Sequence, residues 1–257
     1  MPLPPPDRNS VPRSAEQFPA TQWEMVAMAG DRSSPESGGA LASLCEAYWY
    51  PLYAYVRRRG YSPDDAEDLT QEFFTTLLEK QTLRVADRER GRFRTFLLTA
   101  LSNFLSKERV RASAQKRGGG QLPLSLDFSS AEDWYSREPA DQSTPERIYE
   151  RRWALTVLDR VRQRVRRRYV DVGKERLFDH LKVFLSGEDD APPVRQLAQE
   201  LCMAEGAVKM AVHRLRERYR EALRNEIARM VPDPAEVDDE INSLLAALQS
   251  DDSAAHV

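Results

Sequence analysis

The sequence predicts a nearly all-α protein with two helical domains joined by a flexible linker. Alternating apolar and polar runs, which would indicate strands, are absent, and so are Asn-Gly hairpin turns. Several long segments instead place apolar residues every three or four positions, the spacing that lines one face of a helix. A chain of 257 residues is also long enough to bury two cores.

Proline, glycine and serine divide the chain. The first 16 residues are rich in proline and are expected to be disordered, and a second stretch rich in glycine, serine and proline separates the helical segments. The expected division is 1–39 for an N-terminal extension, 40–117 for the first domain, 118–144 for the linker, 145–230 for the second domain and 231–257 for an acidic tail.

Charge and composition exclude several classes of protein. A formal net charge of −3 means that any contact with nucleic acid must come from local basic clusters. The two cysteines, Cys45 and Cys202, form no redox or metal-binding pattern, and His180, His213 and His256 are scattered, so no metal or cofactor is expected. No apolar run approaches the roughly 20 residues that span a bilayer, and the first residues lack the apolar segment of a secretion signal. We therefore expect a cytoplasmic protein without membrane contact.

The second helix of the first domain is expected in "SPDDAEDLTQEFFTTLLEK". Ser62 can cap this helix, Pro63 fits its first turn, and Asp64 favours the positive end of its dipole. The inward positions are Ala66, Leu69, Phe73 and Leu77. The outward positions form an acidic face of Asp65, Asp68, Gln71, Glu72 and Glu79. Such a face is ordinarily exposed to solvent, and the alternative is that it binds a basic partner.

The helices on either side of this one complete the first domain. "ALASLCEAYWYPLYAYVRRRG" places apolar residues on one face and ends at Gly60. "RFRTFLLTALSNFLSKERVRASAQKR" buries Phe93, Phe96, Leu97, Leu101 and Phe104 and ends in a strongly basic segment. Core packing is the expected role of Phe93 and Phe96.

A helix-turn-helix pattern lies in the second domain. A short helix begins after Pro193, and a longer one covers 206–230. Cys202 stands in the turn where glycine is usual, because that residue often needs a positive φ, at a cost of roughly 1 kcal/mol for a residue with a Cβ. The long helix carries a cationic stripe of Lys209, His213, Arg216, Arg220 and Arg224. This stripe suits phosphates, but a solvated surface laced with salt bridges is the commoner outcome.

Several segments together resemble a known family. "DAEDLTQEFF" is similar to region two of the bacterial sigma-70 superfamily, in particular the extracytoplasmic-function (ECF) sigma factors. The "GRFRTFLLTALSNFL" helix, with Asn103, and "AVKMAVHRLRERY" near the C-terminus agree with that resemblance. The combination, over roughly residues 40–117 and 145–225, is more specific than any one segment.

The resemblance implies particular partners for each surface. The outer face of the second helix would bind the β′ coiled coil of core RNA polymerase through Asp65, Asp68, Gln71 and Glu72. The third helix and the loop before it would melt the promoter's minus-ten element and hold one strand through Arg92, Arg94, Thr95, Asn103, Lys107 and Arg111. The helix-turn-helix would contact the upstream minus-thirty-five element through Lys209, His213, Arg214 and Arg216. The β subunit and an anti-sigma factor are further candidate partners.

The sequence departs from the family in three places. "RFRTFL" replaces the tryptophan-rich start of the third helix. The segment 145–190 is longer than the family's helices and includes the arginine-rich 160–168, which we do not assign to DNA. The acidic tail is absent from minimal ECF proteins, and its apolar residues recur at helical spacing. The tail either completes the core of the second domain or docks there near the cationic stripe and competes with DNA.

These observations favour a non-enzymatic initiation factor that binds core RNA polymerase and directs it to promoters. The alternative is a conventional dimeric helix-turn-helix regulator of duplex DNA, which explains 193–225 but gives the acidic face no role. An enzyme would need paired carboxylates in a pocket, a nucleophile with its base, or a phosphate loop. None of these patterns is present: "RGGGQ" lacks the Gly-Lys-Ser/Thr ending of a phosphate loop.

Overall fold

The computed structural model describes residues 37–79, 92–112, 128, 131–136, 144–185, 191–231 and 233–249. The expectations for the first 36 residues, for most of the linker and for the last eight residues lie outside these ranges. Within them every regular element is a helix, which confirms the predicted fold class.

Nine α-helices follow one another in the described part of the chain. They are α1 Ser37–Arg58, α2 Pro63–Glu79, α3 Phe93–Ala112, α4 Ala131–Ser136, α5 Pro145–Asp171, α6 Glu175–Leu181, α7 Val194–Glu200, α8 Glu205–Ala228 and α9 Val237–Gln249. Two short 3-10 helices, Lys182–Leu185 and Pro234–Glu236, follow α6 and precede α9.

Local chemistry explains where the helices begin and end. The Ser62 hydroxyl accepts a hydrogen bond from the backbone N–H of Asp65 at 3.1 Å and donates one to its carboxylate at 2.7 Å, so this serine caps α2 as predicted. Thr144 caps α5 through the N–H of Arg147 at 3.3 Å, and Pro145 occupies the first turn. Gly60, with a φ of 91°, closes α1 in the left-handed conformation that glycine tolerates best.

The long helix α5 is shared by two hydrophobic cores. Its first half contributes Tyr149, Trp153 and Val157 to a core formed with α1, α2 and α3. Its second half contributes Val161, Val165 and Tyr169 to a core formed with α6, α7 and α8. The helices before and after the expected linker are therefore packed against each other, with α1 lying along α5.

The first core is aromatic and closely packed. Tyr48, Tyr53 and Tyr55 of α1 are almost completely buried, and the ring of Tyr48 meets that of Phe93 edge to face at 5.6 Å between centroids. Cys45 is buried in the same core, and burial raises the pKa of its thiol to about 12. This cysteine is therefore a small core residue that stays protonated.

Part of the expected linker is a helix. The six-residue α4 packs on α1, where Glu132 forms an ion pair with Arg57 at 2.7 Å and accepts a hydrogen bond from Tyr53 at 2.8 Å. The indole ring of Trp134 lies 5.1 Å from the ring of Tyr50. These contacts hold residues 131–136 against the first domain.

The acidic tail also forms a helix, and it reaches further than the sequence suggested. Helix α9 packs on α5 and α8. Its Val237 and Leu244 are buried in the first core, together with Ile227 and Met230 from the end of α8 and the following turn. The tail thus contacts elements of both expected domains.

Candidate interaction surfaces

The acidic face of α2 points away from the core. Asp65, Asp68 and Glu72 are exposed and Gln71 is half-buried, while the side chain of Glu79 lies outside the described residues. The opposite face of the helix is buried through Ala66, Thr70, Phe73, Phe74 and Leu77. Sequence reasoning missed Phe74 and Thr70, because the buried stripe is wider than the row of every third or fourth residue.

Negative charge is concentrated at the start of this helix. Burial raises the pKa of Glu67, and the neighbouring charges of Asp68 and Asp64 raise it further. The repulsion among these neighbouring carboxylates is reduced when a basic surface approaches. The face is therefore suited to a positively charged partner.

Arg94, at the start of α3, is buried by other parts of the chain. Its guanidinium forms ion pairs with Glu150 of α5, at 2.9 Å, and with Glu240 of α9. It also lies 4.1 Å above the centre of the Trp153 ring, and its backbone carbonyl accepts a hydrogen bond from Tyr149 at 2.9 Å. Only 6% of Arg94 is exposed, and this burial lowers the pKa of its guanidinium, an effect opposed by Glu150.

Helix α9 also holds Arg92. Its Nε lies 2.8 Å from the second carboxylate oxygen of Glu240, and its guanidinium donates a hydrogen bond to the Ser243 hydroxyl at 3.3 Å. Both arginines that the sequence assigned to a promoter strand therefore share one carboxylate of α9. No local sequence signal indicated this, because Glu240 lies far along the chain from both.

The remaining residues predicted on α3 form an exposed polar row. Thr95, Asn103 and Lys107 are all exposed, and Thr99 lies between them at the same four-residue spacing. Sequence reasoning missed Thr99, although that spacing could have identified it. Arg111 belongs to the same helix, but its side chain lies outside the described residues.

A tight turn joins α7 to α8. Cys202 adopts a φ of 51°, as expected for this position. The N–H of Met203 bonds to the carbonyl of Ala198 at 2.9 Å, and the N–H of Cys202 bonds to that of Gln199 at 3.2 Å. These two bonds form the Schellman arrangement, in which the left-handed residue is usually glycine.

The basic residues predicted on the outer side of α8 divide into two groups. Lys209, His213 and Arg214 are exposed near the start of the helix and form no ion pair with other described residues. Arg216 is also exposed, and its Nε donates to the Phe184 carbonyl at 3.0 Å. Nearer the end of the helix, the remaining stripe residues have acidic partners, as Arg220 pairs with Glu217 and Arg224 with Asp238. The start of α8 therefore presents the least neutralised charge.

The arginine-rich part of α5 makes contacts within the protein. Arg164 forms an ion pair at 2.7 Å with the nearly buried Glu226 of α8, which connects the two helices. Arg162 pairs with Asp159 and Arg166 with Glu175, both in exposed positions. Exposed pairs contribute little stability, on the order of 0–1 kcal/mol, so Arg164 contributes more to the structure than Arg162 or Arg166.

The described residues contain neither a candidate metal site nor a candidate membrane span. None of their histidine, cysteine and acidic side chains cluster in a way that would hold a metal ion. None of their helices combines the length and the apolar character needed to cross a membrane.

The described surfaces define an all-helical protein with one acidic helix face and several exposed basic and polar helix faces. Residues 44–114, which include α2 and α3, match the family model described as sigma-70 region 2. Over these residues the chain is similar to region 2 of the sigma-70 family, whose members act in transcription initiation. A search of curated proteins and a search of solved structures each found no match.

Proposed function

We propose that this protein is an ECF-type initiation factor that binds core RNA polymerase through the acidic face of α2 and directs it to specific promoters. The observation that supports this most strongly is the exposure of Asp65, Asp68 and Glu72 on one helix within the region 2 match. The residues are held outward by a buried opposite face, so their position depends on the fold rather than on a partner. By resemblance, the partner is the β′ coiled coil.

Promoter recognition is divided between two helices in this proposal. The polar row of α3, with Arg92, Arg94 and Arg111, would hold an unpaired strand of the minus-ten element by neutralising phosphates. Lys209, His213, Arg214 and Arg216, near the start of α8, would enter the major groove of the upstream element, as recognition helices do. The β subunit and an anti-sigma factor are further proposed partners, and the proposed location is the cytoplasm.

The dimeric helix-turn-helix regulator remains the competing function. It accounts for α7 and α8 but assigns no role to the acidic face. No catalytic step is part of either proposal, which agrees with the non-enzymatic character of the sigma-70 family. Binding to core polymerase therefore distinguishes the two.

The proposal is tested by charge reversal on the acidic face. We expect Asp68→Arg to abolish co-purification with core RNA polymerase and run-off transcription from genomic DNA, because like charges would meet at the interface. Asp171→Arg, which makes the same change at an exposed residue ending α5, is the matched control and should behave as the wild type. Asp68→Arg protein that is folded by circular dichroism and still binds polymerase normally would disprove the assignment.

A further inference from the structure

Few charged side chains are buried in the described part of the chain, and two of them meet each other. Its buried polar residues are Thr70, Arg94, Glu226 and Glu240. A buried charge is tolerated only when it is paired, so each of these contacts constrains the elements that it joins. Glu226 pairs with Arg164 and Arg229, within the second half of the chain. Glu240, by contrast, pairs with Arg92 and Arg94 of the first domain.

The Glu240 carboxylate occupies an anion site formed by these two arginines. Guanidinium groups bind carboxylates and phosphates through the same planar array of N–H donors. A carboxylate that spans two guanidiniums therefore fills the position that a backbone phosphate would otherwise take. Only 2% of Glu240 is exposed, so a phosphate cannot take the position of this carboxylate while α9 is docked.

The docked position of α9 depends on two kinds of contact. Val237 and Leu244 are buried among apolar residues of other helices. Asp238 forms an exposed ion pair with Arg224 of the cationic stripe. Helix α9, of 13 residues, is too short to be stable alone in water, so undocking would be accompanied by loss of helical order.

We infer that α9 is an autoinhibitory element whose Glu240 competes with nucleic-acid phosphate for Arg92 and Arg94. The inference rests on the proposed function of α3 as a strand-binding helix. In the docked state, Glu240 pairs with both Arg92 and Arg94, and Glu150 supplies the second negative charge beside Arg94. In the released state, Arg92 becomes available, and Arg94 keeps Glu150 and the Trp153 ring as partners, so release leaves no isolated buried charge.

The release of α9 requires a partner that binds the docked and released states with different affinities. A partner shifts the equilibrium between docked and released α9 only if it binds the released state more tightly. A single strand satisfies this condition when its phosphate takes the position beside Arg92 that the Glu240 carboxylate fills in the docked state. Binding of a strand and docking of α9 are therefore mutually exclusive at this site, and each weakens the other by the same factor.

The direct test removes the competing charge. Glu240→Gln keeps the shape of the side chain but weakens its hold on both arginines. We expect affinity for a fluorescein-labelled, mixed-sequence single-stranded DNA, measured by fluorescence anisotropy with the full-length protein, to rise about tenfold. Asp239→Asn removes the same charge from an exposed neighbour and should change affinity far less. Equal gains in the two variants, or no gain in Glu240→Gln, would overturn the inference.

A second variant covers the case in which Glu240→Gln perturbs the fold. Asp238→Asn removes only the exposed contact with Arg224, so the core is retained, and affinity should rise in the same direction by a smaller factor. A folded Asp238→Asn protein without any gain would contradict the inference when Glu240→Gln is unfolded.

Co-purification with core polymerase separates this inference from the proposed function. Failure of the wild type to bind polymerase, with the gain in DNA affinity intact, would reject the proposed function alone. Normal polymerase binding by the wild type, with no gain in DNA affinity for Glu240→Gln, would reject only the competition between Glu240 and phosphate.

Discussion

At the scale of single residues, Cys202 meets a backbone requirement that its side chain disfavours. Its φ of 51° lies in the left-handed region, where a Cβ approaches the backbone too closely. The position could be predicted because the turn between two helices needs this conformation whichever residue stands there. The thiol is exposed, so it contributes no packing that would offset the strain.

Cys202→Gly is therefore expected to stabilise the protein by about 1 kcal/mol. Urea denaturation followed by circular dichroism measures the effect as a higher midpoint with an unchanged slope. Cys45→Gly is the contrasting change, because it opens a cavity in the first core and should destabilise the protein. A lower midpoint for Cys202→Gly would show that this thiol has a stabilising contact.

The arginines at the start of α3 show where residue-level prediction ends. Sequence spacing placed Arg92 and Arg94 next to the core residue Phe93, and the resemblance to sigma region two implied contact with phosphates. The structure pairs both with Glu240, which lies beyond the linker and the whole second domain. Helical periodicity identifies which face is buried but carries no information about distant partners, so this ion-pair cluster could not be predicted.

At the scale of elements, capping and periodicity predicted helices well wherever the local signals were strong. Helix α2 begins where Ser62, Pro63 and Asp64 indicated, because those residues satisfy or complement the first turn. Helix α4 was missed, since six residues form too few turns to be stable alone. Its order depends on Arg57 and the aromatic residues of α1, and a linker composition does not reveal such contacts.

The start of α8 provides a prediction for the upstream promoter contact. Lys209 is exposed and forms no ion pair within the described part of the chain, so its charge is available for a DNA phosphate. We expect Lys209→Ala to reduce the slope of log affinity against log salt by about one unit for duplex promoter DNA. The promoter fragment is the one identified by run-off transcription, and fluorescence anisotropy over a salt series gives the slope.

Arg220→Ala is the matched control for this measurement. Arg220 lies on the same stripe, but Glu217 already neutralises it, so its loss should change the slope much less. Equal slopes for the wild type and Lys209→Ala would mean that the start of α8 is a solvated surface. A larger change for Arg220→Ala than for Lys209→Ala would place the DNA contact further along the helix.

At the scale of the whole molecule, α5 and α9 connect what the sequence presented as separate domains. Helix α5 supplies apolar residues to both cores, and α9 spans from Arg224 on α8 to Arg92, the residue before α3. The sequence indicated that the tail must dock, because an isolated amphipathic helix of this length is marginal. Both predicted alternatives placed the tail on the second domain, whereas Val237 and Leu244 are buried in the first core. Helical spacing identifies the apolar face of the tail but not the surface that covers it.

Removal of the tail tests both roles of α9, the stabilisation of the fold and the inhibition of strand binding. Truncation after Val231 exposes the apolar surface that Val237 and Leu244 cover, so we expect the free energy of unfolding to fall by roughly 5 kcal/mol, as for loss of one or two large core residues. The truncated protein, kept well below its melting temperature, should also bind single-stranded DNA more tightly, because Arg92 is released. Thermal denaturation and fluorescence anisotropy measure the two effects separately.

Truncation after Gln249 is the control, because it removes none of the described contacts of α9 and should leave both quantities unchanged. A truncation after Val231 that loses stability without gaining affinity would reduce α9 to a structural part of the core. A stable truncated protein would mean that the buried positions of Val237 and Leu244 contribute little to folding. A gain in affinity that disappears when Arg92→Ala is added would locate the competition at the anion site of α3 and not elsewhere on the molecule.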